Sequence, residues 1–330
     1  MVSKSSSHPV IVNMTDETIT ENVNIINSQS GDARLQFIMH RLVQHLHDFA
    51  RETRLTTEEW MAGIEFLTQV GQMCSDTRQE MILLSDTLGL SVLVDGMTHP
   101  KPKNATIGTL LGPFHTHDAV TYENGESICS VGKGEMCVLT CTLKDTSGNP
   151  IEGGSIDMWE TDETGHYDTQ YSDREGPDCR GIVKSDKDGN FWIKCVKPVS
   201  YPIPHDGPVG KLLQKLNRHP YRPAHIHFKV DKDGYDQLIT ALYLKGDKYE
   251  TSDAVFGVKS ELIVSADKIE DSKFAAKYGV QVGDWHIHKD FVLVGNEEAK
   301  ALFVEKSREA LDKISVRANL INGLPVADLD

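Results

Sequence analysis

Three His-x-His triplets stand in this 330-residue chain: His115-Thr116-His117, His225-Ile226-His227 and His286-Ile287-His288. In a β-strand, residues two apart point to the same face, so each triplet can aim two imidazoles at one metal ion. Solvated histidines on a strand face produce the same spacing, so context must separate the three. His225-Ile226-His227 differs from the others. It closes the run Arg222-Pro223-Ala224-His225-Ile226-His227-Phe228, which opens a strand after a loop rich in Pro and Gly. An Arg three residues before a metal pair can hold an anionic ligand. Upstream, Tyr167 and Tyr201 both lie in loop settings, Tyr167 after Thr164-Gly165-His166 and Tyr201 within Pro198–Pro204. Phenolate is a hard anionic oxygen donor and suits a hard trivalent metal, above all Fe(III).

These residues and their contexts resemble the intradiol ring-cleaving dioxygenases. Trp159 precedes Tyr167 by eight residues, Tyr167 precedes Tyr201 by 34, and Arg222–His227 reads RPAHIH. The resemblance runs from about residue 35 to residue 295. It implies one non-haem Fe(III) per subunit, bound by Tyr167, Tyr201, His225 and His227. It further implies that Tyr201 also serves as a base and that Arg222 stabilises anionic character at the substrate ring. O2 and a small aromatic diol or triol are the implied partners. A homodimer through the N-terminal helices is implied as well, at an interface where family members can hold a lipid.

Within that family, Ile82–Leu90 and Leu110–Phe114 resemble the branch that opens hydroxyquinol (benzene-1,2,4-triol) to maleylacetate. The resemblance places Leu83, Asp86, Leu110, Leu111, Gly112, Pro113, Phe114, Ile203, Pro204, Arg222 and Val255 around the substrate. Asp86 is informative, because a carboxylate in an aromatic pocket can accept a bond from a third ring hydroxyl that catechol lacks. The alternative within the family is a catechol or chlorocatechol 1,2-dioxygenase giving cis,cis-muconates. One departure stands out: Ala241 occupies the position where many relatives carry Gln.

The elements that must position these groups follow from patterning. Leu35, Ile38, Leu42, Leu46 and Phe49 recur at helical spacing. Thr56 and Glu59 form a capping box ahead of a second helix, and a third run, opened by Asp76 and Gln79, passes through Leu83 and Leu84 and stops at Gly89. After Pro100, short β-branched runs alternate with Gly, Asn and Asp turns. The reading is an α+β chain: a flexible arm over 1–31, a helical dimerisation and linker domain over 32–106, and an antiparallel β-sandwich catalytic domain over 107–330 with a C-terminal helix and tail.

Composition narrows the function classes. The formal net charge is −15, and both the first hundred residues and the remainder are acidic. That excludes the clustered Lys and Arg that nucleic-acid binding requires. No run of 18 apolar residues exists for a membrane span, and the first residues lack the apolar core of a signal peptide. The six cysteines form no CxxC pair and read as reduced, buried thiols of a cytoplasmic protein.

Overall fold

The computed structural model describes residues 14–75, 78–314 and 317–328. In chain order the elements are α1 (Ile19–Asn27), α2 (Ala33–Thr53), α3 (Thr57–Gln72), α4 (Glu80–Thr87), α5 (Leu90–Thr98), β1 (Met136–Asp145), β2 (Ser155–Trp159), β3 (Arg180–Lys184), β4 (Asn190–Val196) and β5 (Tyr201–Pro202). There follow α6 (Pro208–Lys215), β6 (Tyr221–Arg222), β7 (His225–Asp231), β8 (Leu238–Leu244), β9 (Ile263–Val264), β10 (Ala266–Lys268), α7 (Ser272–Tyr278), β11 (Trp285–Leu293), α8 (Asn296–Asp312), β12 (Ala318–Ile321) and β13 (Leu324–Ala327). The chain divides into two compact units: Met1–Leu67 with Phe303–Asp330, and Thr68–Leu302.

In the first unit, α2 begins where Asp32 accepts hydrogen bonds from Arg34 N and Leu35 N. The Thr56–Glu59 capping box forms as its spacing predicts: Thr56 N donates to Glu59 Oε2 and Glu59 N to Thr56 Oγ1. The apolar stripe of α2 is exposed, from 43% at Ile38 to 56% at Leu46. Two features depart from the expected arm and tail. Residues 19–27 form α1, which Arg51 and His47 of α2 tie down through Thr20 Oγ1 and the Asp16 carbonyl. The C-terminal stretch forms a hairpin, β12–β13, turning at Asn322-Gly323 with both residues at positive φ. Residues 1–13 of the expected arm lie outside the described residues, as does Asp76, which was expected to open the third helix.

In the second unit, α4 and α5 are broken apart at Gly89, whose φ of +75° ends the first helix. Among the described residues no single helix is long and apolar enough to cross a membrane; α4 and α5 meet that length and composition only together, across an 81° bend.

A four-stranded sheet (β10-β11-β1-β4) and a five-stranded sheet (β3-β2-β7-β8-β9) share one apolar core. Leu139, Leu143, Phe191, Ile193 and Phe291 come from the first sheet; Ile156, Met158, Ile226, Phe228 and Leu242 come from the second. This is the sandwich after helices that the sequence predicts, with one correction. The sheets are mixed, because β1 pairs with β11 in parallel and β8 with β9 likewise. β11 reaches β1 through a long crossover, so no hairpin turn dictates its direction.

Candidate metal centre

β7 alternates between two faces. Ile226, Phe228 and Val230 enter the core, so His225 and His227 point together to the opposite face. β8 places Tyr243 opposite His225 and Ala241 opposite His227. On the other flank, Trp159 at the end of β2 lies opposite His227 and stacks on its imidazole, with centroids 4.9 Å apart and planes within 4°.

Tyr167 arrives on the loop that follows β2. Gly165 turns that loop at φ +80°, where a Cβ would lie 3.0 Å from Tyr201 Cβ. Tyr167 N donates to Gln170 Oε1, and the adjacent Asp168 carboxylate accepts from Arg174 and from the buried Arg180. Arg180 also donates to the Phe114 carbonyl and to Thr116 Oγ1, which ties this loop to the 110–116 segment. Phe114 stacks on Tyr167 with centroids 4.4 Å apart. Tyr201 is fixed by the short pairing of β5 with β6, opposite Arg222.

Four donor atoms converge. Tyr167 Oη lies 3.1 Å from Tyr201 Oη and 3.5 Å from His225 Nε2, which is 3.0 Å from His227 Nε2. Ligands about 2.0–2.1 Å from one ion, at angles of 90–110°, sit roughly 2.9–3.4 Å apart. The observed separations therefore have the size of coordination-polyhedron edges. The Pro223 carbonyl accepts at 2.7 Å from His225 Nδ1, so that nitrogen carries the proton and Nε2 keeps its lone pair. Burial drives both imidazoles well below the usual histidine range, helped at His225 by the Arg222 charge and at His227 by His225 and then Arg222. Both imidazoles are therefore neutral at physiological pH. Burial, reinforced by Tyr201, pushes the Tyr167 phenol far up. Only a strongly Lewis-acidic neighbour takes a proton from such a group. Among the described residues no three His, Cys, Asp or Glu side chains are placed to hold a metal. The two-Tyr, two-His set is thus a hard, mixed donor set, and it fits a trivalent ion.

A pocket with about 690 Å³ of empty space, its mouth included, reaches one of the four donors, Tyr201. Its lining includes Leu83, Asp86, Leu110, Gly112, Pro113, Phe114, Ile203, Pro204, Arg222 and Val255, each expected there from sequence. Tyr201 lines it too, whereas Tyr167 does not. Leu111 instead packs with Phe114 against Trp159, Tyr167 and Tyr201, away from the pocket surface. Burial raises the Asp86 carboxyl above its ordinary range, opposed by a hydrogen bond from Ser91 and by the Arg222 charge. The pocket also takes in Arg78, Gln79, Glu80 and Ile82, which sequence reading did not place around the substrate. Nor did it find Tyr243 and Asp253, which meet Arg222 through space from β8 and from the loop after it.

The other triplets lie apart from the four donors. His115 Nε2 is 2.9 Å from Asp157 Oδ2 and the ring packs edge-on to Trp159. His286 and His288 share Thr140 Oγ1 on the other sheet.

Beside Trp159, Glu160 is fully buried and accepts from Val196 N at 3.0 Å, while its Oε2 has no partner. Burial pushes its carboxyl up to about 8. The folded protein therefore holds a proton there that the unfolded chain releases above pH about 4.5, so stability falls as pH rises from that value toward 8. Between pH 6 and 8 the loss is roughly 2 kcal/mol at about 1.36 kcal/mol per pH unit. Glu160→Gln is expected to abolish that decline in urea melts at the two pH values. An unchanged slope would place the proton elsewhere.

Known proteins resemble this chain in sequence and fold. The profile described as "Catechol dioxygenase N terminus" matches residues 32–106, and the profile described as "Dioxygenase" matches residues 110–292. The intradiol ring-cleavage dioxygenase hqdA of Aspergillus niger is 59% identical over 322 residues, covering 98% of each chain. The hydroxyquinol 1,2-dioxygenase of a Rhizobium species is 44% identical over 281 residues, which is 84% of this chain and 95% of the relative. The solved hydroxyquinol 1,2-dioxygenase of Pseudomonas putida superposes with a TM-score of 0.81 at 39% identity, over 85% of this chain and 99% of that one. With two profiles side by side along the chain and a relative matched nearly end to end, this protein belongs to the intradiol ring-cleavage dioxygenases and is an enzyme of that family.

Proposed function

We propose that the chain opens hydroxyquinol with O2 to maleylacetate, using one ferric ion per subunit held by Tyr167, Tyr201, His225 and His227. The convergence of these four buried donors beside an Asp-bearing pocket carries the reading. A ferric ion bound there would supply a Lewis-acid and electron-accepting centre for an ortho-diol and O2.

The residues divide the remaining work. Tyr201 lines the pocket while Tyr167 is enclosed behind Phe114. Tyr201 is therefore the phenol that would take a proton from an incoming ring hydroxyl. Arg222 is 3% exposed and reaches the site with Nη1, 3.1 Å from His225 Nε2. Its charge stabilises anionic character on the bound ring in a site that water does not screen. Leu83, Leu110, Ile203, Pro204 and Val255 provide the apolar walls that keep water from the ring.

Asp86 selects the triol by accepting a bond from the third hydroxyl. Such a bond to a charged acceptor contributes about 1.5–3 kcal/mol. Asp86→Ala is expected to lower kcat/KM for hydroxyquinol roughly 10–100-fold while catechol turnover changes only a few-fold. Equal losses on both substrates would remove Asp86 as the discriminating group.

The exposed apolar stripe on α2 supports a homodimer through this helical region. The free cysteines support a reducing cytoplasmic setting. A visible spectrum tests the central reading: tyrosinate-to-iron charge transfer is expected to colour the purified protein red, and anaerobic hydroxyquinol to shift that band. A colourless protein that consumes O2 with hydroxyquinol would overturn it.

A further inference from the structure

Arg222 does not stand free in its pocket. Its Nε donates to Asp253 Oδ1 at 3.1 Å, and its Nη2 reaches Asp253 Oδ2 at 3.3 Å and Tyr243 Oη at 3.1 Å. Only Nη1 is left toward the donor cluster, 3.1 Å from His225 Nε2. The side chains of Arg222 and Asp253 are 4% and 2% exposed, so water cannot substitute for either partner. The same carboxylate accepts from Val255 N at 3.3 Å and from Gly257 N at 2.9 Å. It thereby closes the turn that carries Val255 into the pocket wall and holds Phe256 at φ +59°, a left-handed conformation that a bulky residue seldom adopts. The fit is tight: a Cβ on Gly257 would lie 2.6 Å from Tyr243 Oη, 2.9 Å from Arg222 Nη2 and 3.2 Å from Asp253 Oδ2.

We infer that Asp253, seconded by Tyr243, is a positioning residue that fixes the guanidinium of Arg222 and the Val255 wall as one rigid assembly, so that a single free N–H edge faces the reacting ring. Nε and Nη2 are committed by a fork-on-carboxylate geometry that sets the guanidinium plane. Tyr243 takes the remaining reach of Nη2 from β8, where it sits opposite His225 in register. The carboxylate also partly balances the Arg222 charge next to the cluster. Its loss would leave an uncompensated cation bearing on His225 and on whatever the donors bind. Asp253 touches neither the ring nor the donors, so it acts through Arg222.

The inference rests on the proposed ring-cleaving reaction, and the test separates the two. Asp253→Asn keeps the side-chain shape but removes the charge. Tyr243→Phe removes one hydroxyl and no ring packing. Both are compared with wild type for iron content, visible band position, melting temperature, and kcat and KM on hydroxyquinol. The expected result is wild-type iron content, a displaced charge-transfer band, and kcat per iron reduced about 10–100-fold in Asp253→Asn and several-fold in Tyr243→Phe, with KM within about twofold. Activity that falls only in step with iron content or folded fraction, with the band unmoved, would reduce Asp253 to a structural residue. If Asp253→Asn does not fold, Tyr243→Phe decides alone: unchanged kcat per iron and an unmoved band would overturn the inference. A wild-type protein without iron-dependent ring cleavage would instead sink the proposed reaction, whatever the variants do.

Discussion

The Tyr167→Phe protein is expected to fold and to lose its function. The substitution removes only Oη. The phenyl ring keeps its 4.4 Å stack on Phe114 and its perpendicular contact with Tyr201. No cavity opens that would destabilise the core. What disappears is the oxygen 3.1 Å from Tyr201 Oη and 3.5 Å from His225 Nε2, one corner of the donor set. Even outer partners of metal ligands cost 10–100-fold when removed, so a first ligand is expected to cost at least about 100-fold in turnover. The red band is expected to bleach or shift, and melting temperature to change little. Tyr201→Phe is expected to behave differently, keeping colour from Tyr167 while losing turnover, because Tyr201 is the tyrosine that faces the pocket. If Tyr167→Phe retained both colour and rate, Tyr167 would not be a ligand.

The second large effect separates one histidine triplet from another. His225→Ala and His227→Ala are each expected to yield protein with less than about a tenth of the wild-type iron and with activity reduced at least as far. His286→Ala is expected to bind iron fully. Both kinds of position lie on strands, and both pairs obey the same two-residue period. The difference is what faces them. His225 and His227 meet two buried phenols and an arginine; His286 and His288 meet a threonine hydroxyl. Metal analysis of the purified variants settles it, and full iron in His225→Ala would overturn the assignment.

Much of this site was legible because it is written in short segments. RPAHIH places an arginine and two imidazoles within six residues, and a strand's period does the rest. The loops bearing Tyr167 and Tyr201 were readable through their Gly and Pro contexts. Asp253 and Tyr243 were not legible, because their meaning comes from reaching Arg222 through space, 31 and 21 residues away. Glu160 was silent for the same reason: nothing local says that Val196 N and a dry interior will surround it. The α1 helix was hidden by Thr- and Asn-rich sequence whose order comes from Arg51 and His47. The β12–β13 hairpin carries a local signal, Asn322-Gly323 between two short apolar runs. The parallel β1–β11 pairing carried none, since a long crossover leaves strand direction open.

β7 has one further consequence. Its even residues build the centre of the sandwich and its odd residues hold the donors, on a strand hydrogen-bonded along both edges. Pulling β7 out of its sheet means breaking both ladders and parting the two sheets, so the donor histidines keep their spacing through local fluctuations. Amide exchange at Ile226 and Phe228 is expected to proceed only through global unfolding. Loss of a bound ion is then expected to follow movement of the segments that bring Tyr167 and Tyr201 to that outer face, while the two histidines stay in register.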